Sequence, residues 1–283
     1  MSRLKALDVC CCEGGSWRGL TDAGFDVYGI DLFEQIIVGP NGKPQRIGFS
    51  QARYPGASYK GDAILALVML LAGQKLPFMH HDGTVEWLGL DDFDLIGASP
   101  PCQHASAGTR ALRKDGAKEY PHLVEPIRYL LEQTGLPWFI ENVKGAALIN
   151  PVTLCGSMFG LGATDEDGLP LRLERHRMFE TSFPLYEPHP CYHDPDVWVA
   201  GVYGGSRRAK RPKIGATPAP WQDRHAAKFD RKGGYVPRSL RVQQELLGID
   251  WMTAGGMAQS IPPVYAEWVG LFALAHIEGR AAA

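Results

Sequence analysis

Four short apolar runs, at residues 4–9, 27–31, 93–98 and 138–141, each end abruptly in a polar cluster, and this pattern constrains the fold more than any other feature of the chain. Runs this short and continuous suit strands buried on both faces. Helix-length sequence at 14–23 and 122–133 lies between members of the set, and parallel neighbours need such crossovers. The expected class is therefore α/β, a doubly wound, mostly parallel sheet with helices on both faces. Ligands in such sheets bind beyond the carboxyl ends of the strands. There the sequence places the stretch 10–15, Asp31, the stretch 100–103, and the pair Glu141 and Asn142.

With 283 residues, 45% of them apolar and 21% charged, the chain has material for one large domain plus a small lobe. No stretch approaches the roughly 18 apolar residues that span a bilayer, and the opening residues lack the apolar region of a secretory leader. Six cysteines, three of them consecutive at Cys10, Cys11 and Cys12, form no spaced disulfide framework and suit a reducing compartment. After about residue 185 the texture turns to Pro, Gly, His and basic residues. Helical spacing of apolar residues returns at 240–247 and 264–276. Three parts are expected: a main domain over 1–185, a small loop-rich lobe over 186–237, and a segment over 238–283 that returns to the main domain.

The formal net charge of −2 hides an asymmetry. Residues 205–241 hold eleven Lys and Arg against two acids, so this segment carries +9 and the remainder −11. Such a segment suits a polyanion, and it is more basic surface than a mononucleotide requires.

Three strings carry the chemistry: SPPCQ at 99–103, ENV at 141–143 and RHR at 175–177. Cys102 follows one strand and Glu141 ends the next, while Arg175 and Arg177, two apart, would share a face on a strand. A thiol, a carboxyl and a guanidinium suit covalent attack on an electron-poor heterocycle such as cytosine. Thiolate adds to C6, a neutral Glu141 donates to N3, Arg177 holds O2, and C5 becomes nucleophilic.

In these strings and their order the sequence resembles the DNA cytosine-5 methyltransferase family nearly end to end, most of all the compact members carried by bacteriophages. DVCCCEGG at 8–15 matches the first motif, Asp31 its acidic ribose ligand, and Gly61 with Asp62 its adenine contact. Pro101, Cys102 and Gln103 match the nucleophile motif, with Ser106 in the place of a following serine. Glu141 to Val143, the arginines 175 and 177, and QSIP at 259–262 match the remaining motifs. The resemblance implies a Rossmann-like fold, S-adenosyl-L-methionine as donor, a cytosine flipped from double-stranded DNA, and the cytoplasm of a bacterial host cell. It assigns catalysis to Cys102, Glu141, Arg175 and Arg177. It assigns the donor to Asp8, Cys10, Glu13, Gly14, Gly15, Trp17, Asp31, Leu32, Asp62, Pro100, Gln259 and Ser260. DNA would meet Gln103, Ser106, Arg207, Arg208, Lys210 and Arg211, and 105–120 would close over the flipped base.

The chain departs from the family pattern at several positions. Cys10 replaces a phenylalanine that packs on adenine, and Trp17 or Phe33 would have to fill the gap. Cys12 replaces a glycine, Leu173 a glutamine and Gln259 an asparagine. An RNA cytosine-5 methyltransferase, or a C5-transferase using a modified donor, are the alternative readings. No metal, membrane or obligate protein partner is expected. Adjacent Cys10, Cys11 and Cys12 lack ligand spacing, and the better cluster, His189, Cys191 and His193 with Cys155, is irregularly spaced.

Overall fold

The computed structural model describes residues 3–32, 35–38, 44–47, 53–106, 120–202 and 236–279. Fourteen strands form three sheets: β1 (Lys5–Val9), β2 (Asp26–Asp31), β3 (Gln35–Val38), β4 (Pro44–Ile47), β5 (Ala57–Lys60), β6 (Leu76–Met79), β7 (Val85–Leu88), β8 (Leu95–Ala98), β9 (Trp138–Asn142), β10 (Val152–Leu154), β11 (Gly162–Thr164), β12 (Pro170–Leu173), β13 (Arg177–Thr181) and β14 (Trp198–Ala200). The helices are α1 (Gly15–Ala23), α2 (Ala63–Leu71), α3 (Val124–Thr134), α4 (Leu240–Leu247), α5 (Ala254–Gln259) and α6 (Pro263–Ile277).

The main sheet has nine strands in the order β10-β13-β9-β8-β1-β2-β5-β6-β7. Its middle, from β9 to β5, is parallel. The four runs expected as strands are β1, β2, β8 and β9, and all belong to this middle. β8 and β9 are buried at every position, which is why they read as unbroken apolar runs. The edges are antiparallel, with β6 and β7 beyond β5 on one side and β13 and β10 beyond β9 on the other. This is a Rossmann-like α/β fold with antiparallel margins.

Two cores cover the sheet. α2 and α3 bury Leu67, Leu70, Ile127 and Leu131 with Leu7, Ile30 and Ile96. On the other side α1 and α6 bury Leu20, Ala23, Tyr265, Val269 and Phe272 with Ala6, Phe139 and Phe179. α1 and α6 touch so closely that a β-carbon at Gly19 would overlap the Pro263 carbonyl and sit 2.6 Å from the Glu267 nitrogen. Arg128 of α3 grips Glu180 of β13 through two nitrogens at 2.6 and 2.7 Å, a buried pair that fixes the helix to the antiparallel margin.

The second sheet, β11-β12-β14, packs Leu171, Leu173, Ala200 and Val202 against Val242, Leu246 and Leu247 of α4. This sheet and the helix packed on it draw on residues before 185 and after 238. Among the described residues no helix is long and apolar enough to cross a membrane.

Candidate active site

β1 and β8 are neighbours, and the chain leaves them in opposite directions, β1 toward β2 and β8 toward β9. Their carboxyl ends therefore flank the crevice at a topological switch point. Beyond β8 the chain passes Ser99, Pro100 and Pro101 into a single 3-10 turn, Cys102–His104. Two prolines fix φ and lack amide protons, so the turn has a stiff approach. The Cys102 carbonyl accepts from the amides of Ala105 and Ser106 at 3.0 and 2.8 Å. Buried Asn142 donates its side-chain amide to the Pro100 carbonyl at 2.9 Å and accepts from the Val143 amide at 2.9 Å. The nucleophile loop is thereby tied to the strand end that carries Glu141.

Glu141 is buried at the end of β9, and Arg177, at the start of β13, places Nε 3.0 Å from its Oε1. Among the described residues this oxygen accepts no aligned hydrogen bond, while Ser99 bonds the carboxyl group. Burial raises the Glu141 carboxyl above its ordinary range, against the opposing pull of Arg177 and Arg175. Burial also raises the half-buried Cys102 thiol, Glu141 adds to that effect, and Arg177 and Arg175 oppose it. Cys102 and Glu141 thus interact electrostatically at the ends of adjacent strands, a thiol and a raised carboxyl of the kind that addition with proton donation needs.

Arg175 has another task. It lies outside the strand at φ 22°, so it does not share a strand face with Arg177 as the spacing suggested. Its guanidinium is buried and donates to the carbonyls of Val202 at 2.8 Å, Met257 at 3.1 Å, Ala258 at 2.9 Å and Ser260 at 2.5 Å. These bonds tie it to the QSIP segment, while its charge also acts on Cys102 and Glu141.

At the β1–α1 turn the amides of Cys10 and Cys11 donate to the Ile30 carbonyl at 2.8 and 3.2 Å, and Cys10 and Cys12 adopt φ of 61° and 48°. Non-glycine residues in this region store strain, on the order of 1 kcal/mol each. Asp31 holds the turn, its two oxygens accepting from the amides of Cys12 and Leu32, both at 2.7 Å. Burial pushes the Asp31 carboxyl up to about 6. The thiols of Cys10 and Cys11 lie well above their ordinary range and that of Cys12 is pushed up to about 12, chiefly by burial and then by neighbouring carboxylates.

Several residues that the resemblance assigns to the donor are buried or make contacts within the protein. The Glu13 carboxylate accepts from the Thr253 amide and hydroxyl at 2.7 and 2.8 Å, and its carbonyl takes the Trp251 indole at 2.7 Å. It fastens the turn to the start of α5. Asp8 is buried behind the turn, its carboxyl raised well above the ordinary range by burial. Ser260 is buried, with its hydroxyl on the Met257 carbonyl at 3.2 Å. Trp17 packs edge-on against Tyr54 and Trp251, so its ring is engaged in the protein's own aromatic cluster. A β-carbon at Gly15 would come within 2.8 Å of the Ile261 carbonyl, so that glycine serves contact between the turn and the QSIP segment.

Leu32 is exposed beside Asp31, and exposed Asp62 caps α2 by accepting from the Leu65 amide at 2.9 Å. Gly14 stands at φ 89°, Cys10 is partly buried, Pro100 is buried behind the nucleophile and Gln259 is exposed at the end of α5. Gln103 and Ser106 are half-buried beside Cys102. Phe33, Arg207, Arg208, Lys210, Arg211 and most of 105–120 lie outside the described residues. Ser99 and Asn142 were missed as site residues, although both stand inside the strings that pointed to the site. Thr253, Trp251 and Tyr54 carried no local signal.

No protein-family model matches the chain, and no curated protein matches it. Among solved structures, it is similar to one described as a DNA modification methyltransferase encoded within an E. coli prophage, at 15% identity and TM-score 0.49, covering 98% of this chain and 100% of that one. It is also similar to the Dnmt2 methyltransferase of S. pombe at 13% identity and TM-score 0.47, covering 96% and 98%. DNMT2 of Spodoptera frugiperda stands at 12% identity and TM-score 0.46, covering 96% and 99%. At such identities the site must be judged on this chain's own geometry.

Proposed function

We propose that this chain is a DNA cytosine-5 methyltransferase. The observation that carries the reading is the convergence of Cys102 with the Glu141–Arg177 pair at the carboxyl ends of adjacent parallel strands, beside a turn held by Asp31. The residues fit a nucleoside donor at that turn. Each Asp31 oxygen accepts one amide and retains a lone pair for a ribose hydroxyl, and exposed Leu32 offers an apolar edge for a base. S-adenosyl-L-methionine, when bound, supplies an electrophilic methyl group.

The chain's own residues do the rest. Cys102 Sγ adds to C6 of an extruded cytosine while Glu141 gives a hydrogen bond or proton to N3 and Arg177 holds Glu141 and the O2 edge. The electron pair reaches C5, which takes the methyl group. Loss of the C5 proton to a base then expels the thiolate and restores the ring. Burial raises the Glu141 carboxyl, the direction that an acid role requires. The +9 segment at 205–241 supports a duplex substrate by its charge.

Incubating the full chain with duplex DNA and S-adenosyl-L-methionine, followed by mass spectrometry of the nucleosides, tests this reading. 5-Methylcytosine in DNA is the expected product. Modification of RNA alone, or a different C5 group formed with the cellular donor pool, overturns it.

The donor site should also respond to pH. The folded Asp31 pKa of about 6 exceeds the ordinary 3.8, so between these values the folded protein binds the extra proton and this group's contribution to stability falls as pH rises. Ribose hydroxyls need the ionised form as acceptor. Donor binding should therefore weaken about tenfold between pH 7.5 and pH 5, following the ionised fraction. Calorimetric titration measures this, and the dependence should vanish in Asp31→Asn along with most of the affinity.

A further inference from the structure

Outside the active site, four side chains from three separated stretches converge: Cys155, His176, Cys191 and His193. Their ligand atoms all lie within 4.8 Å of one another. His193 Nε2 is 3.3 Å from Cys155 Sγ and 2.9 Å from Cys191 Sγ, and His176 Nε2 is 3.4 Å from Cys191 Sγ. A tetrahedral zinc ion with two sulfur and two nitrogen ligands requires ligand-to-ligand separations of about 3.3–3.8 Å. The cluster needs only small adjustments to reach them. We propose that these four residues form a structural Zn²⁺ site of the Cys2His2 type.

The surroundings orient the four groups toward one point. Glu174 Oε1 stands 3.5 Å from His193 Nδ1, on the far side of the ring from the sulfurs. A carboxylate there keeps the proton on Nδ1 and turns the Nε2 lone pair into the cluster, the usual arrangement behind a metal-bound histidine. Glu174 is itself held by Arg172, whose nitrogens lie 2.8 and 3.2 Å from the same oxygen. The Ser157 hydroxyl lies 3.3 Å from Cys155 Sγ and 3.5 Å from Cys191 Sγ, placed to donate to thiolates. The Cys155 thiol can donate to the Glu174 carbonyl at 3.0 Å, and Cys191 Sγ stands between the Nε2 atoms of His193 and His176. On binding a cation both thiols would lose their protons to solvent, and four lone pairs would share one ion.

Two thiolates and two imidazoles select zinc over magnesium or calcium, and four protein ligands leave no position for substrate, so the role is structural. Cys155 lies next to β10, His176 between Arg175 and Arg177 before β13, and Cys191 and His193 on the stretch leading to β14. The ion would thus fasten the margin of the main sheet to the approach to the second sheet. It would also hold the short stretch that carries both arginines. The metal site stands independently of the methyl-transfer reading.

Elemental analysis of the full chain, purified with reduced thiols and without chelators, tests the proposal. The expected content is about one zinc per chain, falling below about 0.1 in Cys191→Ser/His193→Ala. Since that variant could misfold, cobalt replacement in the unmodified chain provides a second reading. Tetrahedral Co²⁺ with two thiolates gives intense visible bands and near-ultraviolet charge transfer, and these should be displaced by Zn²⁺ but not by Mg²⁺. Zinc below about 0.1 per chain both as isolated and after reconstitution overturns the site. So do an octahedral cobalt spectrum, full metal retention by the double variant, or a native Cys155–Cys191 disulfide.

Discussion

Cys102→Ala should form no covalent complex with duplex DNA containing 5-fluorocytosine, whereas the unmodified chain is trapped on it, because fluorine at C5 cannot leave as a proton does. Turnover should fall by roughly 10⁴-fold or more, the scale seen when a covalent nucleophile is removed. DNA and donor binding should persist, since the Pro100 anchor to Asn142 and the turn around Asp31 do not involve the thiol. Burial and Glu141 raise the Cys102 thiol, so the unliganded site holds mainly thiol at neutral pH. The rate of trapping should therefore rise toward alkaline pH as the thiolate fraction grows, and single-turnover kinetics across pH would record that rise. Adduct formation by Cys102→Ala would place the nucleophile elsewhere.

The two arginines should separate cleanly. Arg175→Met removes a guanidinium shared among four carbonyls and should destabilise the fold by about 3 kcal/mol or more, on the cost of leaving several buried acceptors unpaired. Its denaturation midpoint should drop with an unchanged slope, and the fraction that stays folded should keep its activity with the pH profile moved upward, since Arg175 opposes the rise of both Cys102 and Glu141. Arg177→Met should fold, because its loss lets buried Glu141 relieve its charge by taking up a proton. Activity should nonetheless fall by about 10²-fold or more, with the remaining rate shifted along the pH axis as Glu141 rises. Equal loss of stability in the two variants would show that Arg177 is structural as well.

The parallel middle of the sheet was legible because burial on both faces forces uninterrupted apolar runs, as in β8 and β9. The antiparallel margins were not. β13 alternates less clearly and opens on Arg177, so nothing in its composition marks it as the strand that pairs with β9. Cys102 and Glu141, the proposed nucleophile and acid, could be singled out because they sit at strand ends inside short strings. The work of Arg175 and Glu13 was hidden for a different reason, since their partners lie near residue 255, far along the chain. In the Cys155 cluster the sequence pointed to Cys155, Cys191 and His193 but to His189 as the fourth member, where the structure brings in His176 from a separate stretch. Local strings report chemistry at strand ends, and contacts between distant segments leave no local trace.

α6 packs against α1, so the last helix completes a core begun by the first. While the chain is being synthesised, Leu20, Phe25, Phe139 and Phe179 must wait for Tyr265, Val269 and Phe272 before that layer can close. The apolar cluster of the opposite layer, from α2 and α3, draws on no described residue beyond Leu148. Folding on the ribosome is therefore two-sided in time: one face of the sheet can be sealed early, and the other stays sticky until α6 has emerged. A ribosome stalled within α6 would present an apolar surface to chaperones and proteases, so the integrity of that helix acts as a checkpoint on the whole fold.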